Sequence, residues 1–104
     1  MTTIKLEAAN GGQAFNIYDE RGKMGEMVIS MDDVALTVYH TEVSPQAEGK
    51  GYAKLLLEHM TAYARENTLK VIPLCPYVHA QFKRHPEQYG SLETGLGCRV
   101  QPPY

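Results

Sequence analysis

Hydrophobic and polar residues alternate along the first half of the chain, and the spacing becomes helical near residue 51. Alternation at every second position is typical of β-strands that bury one face. The predicted strands span residues 2–6, 14–18, 23–31 and 34–43. The connections between them are short and rich in turn residues, as in Asp19-Glu-Arg-Gly22, so consecutive strands are predicted to run antiparallel.

The residues after Gly51 predict a helix. Its apolar stripe consists of Tyr52, Leu56, Met60 and Tyr63, and the polar stripe opposite consists of Lys54, Glu58, Thr61 and Arg65. Asn67 is a suitable residue for the end of this helix.

A short apolar strand and a second helix follow. Residues 69–75 predict the strand, and because a helix connects it to the strand before it, the two should be parallel neighbours with a right-handed crossover. Pro76 fits the first position of the second helix, which should end near His85-Pro86. Together these elements predict an α/β fold of the α+β type, with a mixed, mostly antiparallel sheet of about four or five strands and two principal helices.

Length and composition indicate one globular domain over residues 1–104. The chain is 43% hydrophobic and 21% charged, proportions that are usual for a soluble protein with a packed core. Beyond residue 90, several glycines and the Pro102-Pro103 pair predict a loop-like tail, in which Leu92 marks a candidate last strand.

Charge and hydropathy argue against several classes of protein. The formal net charge of −2 argues against a nucleic-acid binder. No apolar run is long enough to span a membrane, and Met1-Thr-Thr-Ile-Lys5 lacks the pattern of a signal peptide, so a cytoplasmic protein is predicted.

Cys75 and Cys98 are too few for a disulfide framework and predict free thiols. Cys75 with His79 and His85 lacks the spacing of a zinc site, so no metal is predicted.

The stretch from Thr41 to Lys54 contains a strand end, a glycine-containing loop and a helix start. Such a loop presents backbone N–H groups and the positive end of a helix dipole, which suit a phosphate or pyrophosphate group. Gly49-Lys-Gly51 lacks the spacing of a Walker-type loop, and a dinucleotide fingerprint would need a third glycine where Lys54 stands.

A third loop pattern fits. Gln46-Ala-Glu-Gly-Lys-Gly51 matches [Q/R]-x-x-G-x-[G/A], the pyrophosphate loop of the GNAT superfamily of N-acetyltransferases. More of the chain resembles the short, single-domain branch of that superfamily, from roughly Phe15 to Tyr89. The resemblance includes His40-Thr-Glu-Val43, Ala64-Arg-Glu-Asn67, Val71-Ile-Pro-Leu-Cys-Pro-Tyr77 and Arg84-His-Pro-Glu87.

This resemblance implies that acetyl-CoA is bound with its pyrophosphate on the loop amides. The residues that it implies in cofactor binding are Val43, Gln46, Gly49, Lys50, Gly51, Tyr52, Ala53, Lys54, Cys75 and Arg84. Glycine at positions 49 and 51 would allow close backbone approach. Lys50 and Lys54 either add positive charge near the phosphates or are simply solvated, and Arg84 either reaches a phosphate or faces water.

Four residues are candidates for the chemistry. Cys75 ends a strand at a predicted helix N-terminus, which suits a thiolate; it is either an acetyl carrier or a small buried residue. His40 and Glu42 share a strand face if no bulge intervenes, and either could take a proton from the acceptor, with His40 preferred. Tyr77 lies in the first helical turn, where related enzymes carry a tyrosine that protonates the leaving thiolate; it is equally well a packed aromatic residue.

The predicted function is acetyl transfer from acetyl-CoA to an amine, carried by a small molecule or a protein. Direct attack by the amine is preferred to transfer through Cys75. There is no room before Phe15 for the two helices that commonly wall the acceptor site, so the pocket is open, completed by the tail or supplied by a partner. That departure supports an alternative, a non-catalytic CoA-binding or protein-interaction module. The small size predicts a monomer or weak dimer.

Overall fold

Four strands form an antiparallel meander, and a fifth joins it in parallel. The structure is a computed structural model and describes residues 2–9, 11–90 and 92 of the chain. The strands, in both chain order and sheet order, are β1 (Thr3–Ala9), β2 (Gly12–Asp19), β3 (Gly22–Met31), β4 (Ala35–Val43) and β5 (Lys70–Pro73). The pairs from β1 to β4 are antiparallel, and β4 pairs with β5 in parallel. The predicted mixed, mostly antiparallel α/β fold is confirmed, although β1 extends beyond its predicted end at Leu6.

The two predicted helices are present. They are α1 (Tyr52–Glu66) and α2 (Pro76–Arg84), and the short helix α3 (Pro86–Tyr89) follows them. α1 begins after Gly51, whose φ of 76° suits a residue without a Cβ, and it ends at the predicted Asn67. α2 begins at Pro76, as the missing proline N–H allows.

The core lies between the helices and one face of the sheet. α1 packs against β2, β3, β4 and β5, and α2 packs against β4 and β5. Met27 and Ile29 of β3 are fully buried with Leu56 and Met60 of α1, which confirms the predicted strand and helix faces. Thr61 was predicted on the polar stripe, but it is buried. Its burial is tolerated because the hydroxyl donates to the Glu58 carbonyl at 3.0 Å, which satisfies the polar atom.

The predicted tail lies almost entirely outside the described residues. Leu92 is described; it is buried in a turn, and its carbonyl accepts the Val71 N–H at 2.7 Å. The remainder of the predicted tail, with Cys98, lies outside the described part of the chain. None of the described helices combines the length and the apolar character needed to cross a membrane.

Candidate active site

A β-bulge turns the end of β4 so that its polar residues face away from the core. His40 pairs with Val28, whereas Val38 pairs with the next residue of β3, so Tyr39 is an extra residue in β4. Val38 is fully buried, but the His40 side chain is 52% exposed. His40 and Glu42 are both exposed and share the face opposite the core, as predicted, because the bulge precedes both of them.

The last part of β4 also has an unpaired edge. β5 pairs only with Ala35–Val38, and the Cys75 N–H makes a further backbone bond to the Val38 carbonyl at 2.9 Å. Among the described residues, no strand pairs with β4 on that side from Tyr39 onward. The backbone groups on this edge can therefore bond to a ligand.

The loop between β4 and α1 is held by backbone hydrogen bonds. Ser44 donates its N–H to the Met24 carbonyl at 2.7 Å, and a 3₁₀ turn covers Pro45–Ala47. Helical bonding in α1 starts with the Leu55 N–H to the Gly51 carbonyl at 3.1 Å. The N–H groups of the first turn have no intrahelical acceptor, so they point toward the loop and can bind an anion.

A cleft of about 310 Å³ lies where this loop meets the first turn of α1. We call it the loop cleft. The predicted cofactor residues that line it are Val43, Gly49, Gly51, Tyr52, Ala53 and Lys54. Tyr77, from the first turn of α2, lines the same cleft. Gly49 and Gly51 themselves have φ values of 82° and 76°, which few other residue types adopt without strain.

A second cleft of about 280 Å³ lies beside the first, at the start of β3 and the end of β4. We call it the strand cleft. Glu26 and Glu42 line it, and Val43 lines both clefts. The exposed carboxylate of Glu42 therefore belongs to a cleft that neighbours the loop cleft at Val43.

Glu26, His40 and Glu42 form one cluster across β3 and β4. Their ligand-type atoms lie within 4.8 Å of one another, so the cluster has the composition and the spacing to hold a cation. His40 Nε2 is 3.8 Å from Glu26 Oε2, and Lys23 Nζ donates to Glu26 Oε1 at 2.6 Å. These side chains are accessible to solvent, as carboxylates without an ion commonly are.

Cys75 lies on the other side of β4 from His40 and Glu42. It is the N-cap of α2, as predicted, but it is only 2% exposed, and it lines neither of the two clefts. Its Sγ lies 3.4 Å from Thr41 Oγ1. Thr41 separates His40 from Glu42 in the sequence and points to the opposite face, so neither candidate base is adjacent to the thiol.

Tyr77 keeps its phenolic proton over the neutral pH range. Burial raises the pKa of Tyr77 above its usual value, and the neighbouring Tyr89, Cys75 and Glu58 raise it further. A phenol that stays protonated in a cleft can donate a proton to a leaving group.

The other predicted cofactor residues lie outside the loop cleft. Gln46, Lys50 and Arg84 are exposed, and Arg84 is the last residue of α2. Sequence patterns predict which residues occur in a loop, but they do not fix the direction of long side chains on its surface.

Two residues that sequence analysis had not selected touch the loop. Asp19 Oδ2 accepts a hydrogen bond from the Tyr52 hydroxyl at 2.8 Å, and Arg21 Nη1 donates to the Gln46 carbonyl at 3.2 Å. In the sequence, Asp19 and Arg21 signal only a turn. No local pattern shows that this turn packs against a loop so far along the chain.

Comparisons with known proteins agree with this geometry. The family model described as GCN5-related N-acetyl-transferase matches residues 14–92. No curated protein matches the chain significantly.

Two similar solved structures show the same fold. A ribosomal-protein-alanine N-acetyltransferase from Brucella melitensis biovar Abortus is 24% identical, with a TM-score of 0.55, over 73% of this chain and 59% of that chain. A probable acetyltransferase of unknown function from meticillin-resistant Staphylococcus aureus is 17% identical, with a TM-score of 0.53, over 75% of this chain and 59% of that one. The match thus spans less than two thirds of either structure.

Proposed function

The chain belongs to the family of GCN5-related N-acetyltransferases, and from this premise we propose that acetyl-CoA is its donor and an amine its acceptor. One observation carries the proposal: the loop cleft and the strand cleft are neighbours that share Val43 in their linings. An anion-binding helix start therefore adjoins a cleft lined by carboxylates, and each suits one of the two reactants.

The loop cleft suits the pyrophosphate of acetyl-CoA. The N–H groups at the start of α1 point into this region, and the helix dipole favours negative charge there. Lys54 and Glu48 both line the cleft and their charges offset each other, so the attraction for an anion rests on the helix start. For Gln46, Lys50, Cys75 and Arg84, contact with the cofactor rests on the family resemblance alone.

The unpaired edge of β4 suits the pantetheine arm. That arm contains amide groups, which can bond to the free backbone groups between Tyr39 and Val43, as a peptide strand would. An arm that leaves the loop and runs back along this edge would bring the thioester toward the bulge at Tyr39, beside the first turn of α2.

The acceptor amine would enter from the strand cleft. Glu42 lines this cleft and can hold the ammonium group, while His40 on the same face can take its proton. Glu26, at 3.8 Å from His40 Nε2, would stabilise the imidazolium that forms. His40 is therefore our preferred base, directly or through one water.

The reaction then balances without a covalent enzyme intermediate. The neutral amine nitrogen attacks the thioester carbonyl carbon, the new C–N bond forms, and the C–S bond breaks. Tyr77, which is protonated and lines the loop cleft, donates a proton to the leaving thiolate. The nitrogen, now bonded to the acetyl carbon, releases its extra proton to solvent, from which the Tyr77 phenol is restored. Holding both reactants in line supplies much of the rate enhancement.

Because Cys75 is buried away from both clefts, Cys75→Ala should retain turnover within about twofold of the wild-type value. The measurement is kcat at saturating acetyl-CoA, with Cys75→Ser as the control that keeps a hydrogen-bonding group near Thr41. A loss of 100-fold or more in Cys75→Ala, together with an acetyl adduct on wild-type Cys75 in the mass spectrum, would establish the acetyl-cysteine route instead.

The test of the proposed function is acceptor-dependent release of free CoA thiol. Acetyl-CoA is incubated with the chain and a set of amines that includes lysine peptides and small diamines, and the thiol is measured colorimetrically. We expect at least one amine to raise the release above acceptor-free hydrolysis. Binding of acetyl-CoA without release for any amine would favour the non-catalytic module, which the solvent exposure of His40 and Glu42 makes the second candidate.

A further inference from the structure

The tip of the β2–β3 hairpin has a fixed conformation. Asp19 Oδ1 accepts the Arg21 N–H at 2.8 Å, and Asp19 Oδ2 accepts Arg21 Nη2, also at 2.8 Å. The Asp19 side chain is only 3% exposed. Gly22 has a φ of 110°, which lets the chain turn back into β3. The carboxylate of Asp19 therefore fixes both the turn and the direction of the Arg21 guanidinium.

This tip contacts the loop between β4 and α1 at both of its ends. Arg21 Nη1 donates to the carbonyl of Gln46, which lies at the start of the glycine-containing segment, at 3.2 Å. The hydroxyl of Tyr52, the first residue of α1, donates to Asp19 Oδ2 at 2.8 Å. We call these contacts among Asp19, Arg21, Gln46 and Tyr52 the hairpin brace.

The loop has few other long-range restraints. Beyond the Ser44 N–H bond to the Met24 carbonyl at the end of β4, the backbone bonds seen among its residues are local: Ala47 N–H to Ser44 O at 2.8 Å, Glu48 N–H to Pro45 O at 3.3 Å, and Lys50 N–H to Ala47 O at 3.2 Å. A segment with glycines at two positions has many accessible conformations, and ordering it costs conformational entropy. The hairpin brace restricts that freedom before any ligand arrives.

The charge states of the brace suit this role at neutral pH. Hydrogen bonding from Arg21 holds the pKa of Asp19 well below its usual range, and the bond to Asp19 raises the pKa of Tyr52. A carboxyl whose pKa is lowered on folding contributes its full stabilisation above its unfolded pKa of about 3.9, and loses it only as the pH falls through the lower folded value. The brace is thus intact throughout the neutral range.

From this geometry we propose that Asp19 and Arg21 are positioning residues for the donor: they hold the loop in the conformation that binds the pyrophosphate of acetyl-CoA. The inference rests on the proposed function. Asp19 acts through Tyr52 and the helix start, and Arg21 acts through the Gln46 carbonyl. The brace therefore sets the affinity for the phosphate-bearing part of the donor and leaves the acceptor site unaffected.

The test compares acetyl-CoA with S-acetyl-pantetheine, which has the same thioester and arm but no pyrophosphate. Asp19→Asn should raise the Kd for acetyl-CoA on the order of tenfold, because the loop amides lose their fixed positions. The Kd for S-acetyl-pantetheine should stay at the wild-type value. Tyr52→Phe removes only the Tyr52–Asp19 bond and should give a smaller loss in the same direction, and the double variant should be no worse than Asp19→Asn alone, because that bond is one of those that Asp19→Asn weakens.

The matched control is Asp33→Asn, which removes an exposed carboxylate from the turn at the other end of β3. It should leave both affinities unchanged. Hydrogen exchange provides a measure without ligand: the amides of Gly51–Lys54 should exchange faster in Asp19→Asn than in the wild type, while those of the central strands should not.

The outcomes are distinct. An unchanged acetyl-CoA affinity in Asp19→Asn, or an equal loss for both ligands, would overturn the positioning role, since the second result would indicate general damage to the fold. If the wild-type chain does not bind acetyl-CoA, the proposed function is wrong, and so is the proposed effect of Asp19 and Arg21 on the affinity for acetyl-CoA. The exchange measurement would then still decide whether the hairpin holds the loop.

Discussion

Ala53→Glu should weaken acetyl-CoA binding by 100-fold or more while leaving the fold at least as stable as that of the wild type. Ala53 is the second residue of α1, half-buried, and lines the loop cleft. A carboxylate there lies close to the proposed pyrophosphate, and like charges about 4 to 5 Å apart near a protein surface repel by roughly 3 to 4 kcal/mol. That repulsion corresponds to a rise in the Kd for acetyl-CoA of roughly 100-fold or more.

The same substitution should be favourable for the helix. A negative charge in the first turn interacts well with the helix dipole, typically by about 0.3 to 1 kcal/mol. Function and stability should therefore change in opposite directions, which separates loss of binding from loss of fold. The measurements are calorimetric titration with acetyl-CoA and a thermal unfolding curve.

Ala53→Gln is the matched control, because it has nearly the same size as Ala53→Glu and no charge. It should retain most of the affinity if charge, not bulk, determines the loss. If Ala53→Glu binds acetyl-CoA as tightly as the wild type does, the pyrophosphate does not lie at the start of α1.

His40→Gln should lower kcat by roughly 100-fold or more, since a positioned general base typically contributes at least this much. The KM for acetyl-CoA should hardly change, because His40 lies on the sheet face opposite the core and outside the loop cleft. His40 is exposed and its contact with Glu26 is a 3.8 Å charge pairing, so the fold of the strand should be unaffected. Steady-state kinetics with both substrates varied would measure each parameter separately.

The loss in His40→Gln should shrink at high pH. An acceptor amine with the usual lysine pKa of about 10.4 loses its own proton there and needs no base. His79→Gln, on the exposed side of α2, is the control and should leave kcat and KM unchanged. If Glu42→Gln loses kcat and His40→Gln does not, Glu42 is the base and the assignment proposed above is wrong.

The fold was predictable because the hydrophobic pattern and the turn residues agree along most of the chain. The alternation in β3 buries Met27 and Ile29, and Pro76 correctly marks the start of α2. Thr61 was assigned to the wrong face because a residue type alone does not show that a threonine hydroxyl can bond back to the helix backbone.

The bulge in β4 is visible in the burial pattern of the strand. Buried positions have even numbers at Leu36 and Val38, and the inward side of the strand then continues at Thr41 and Val43, which have odd numbers. A change of parity within one strand indicates an extra residue. The consequence for His40 could be stated only with the register of β3 and β4 in hand.

The site was predictable at the level of its backbone and less so for its side chains. The strand end, the glycines and the helix start lie together because they are neighbours in sequence. The hairpin brace was not predictable, because Asp19 and Tyr52 meet only when β2 and α1 pack. The burial of Cys75 likewise depends on how α2 packs against β4.

The most direct measurement is a crystal structure of the chain with CoA bound. The account predicts the pyrophosphate against the backbone of Gly49–Lys54, the pantetheine arm along the unpaired edge of β4, and the sulfur near Tyr77 at the first turn of α2. A pyrophosphate elsewhere on the surface, or an arm that avoids β4, would contradict it.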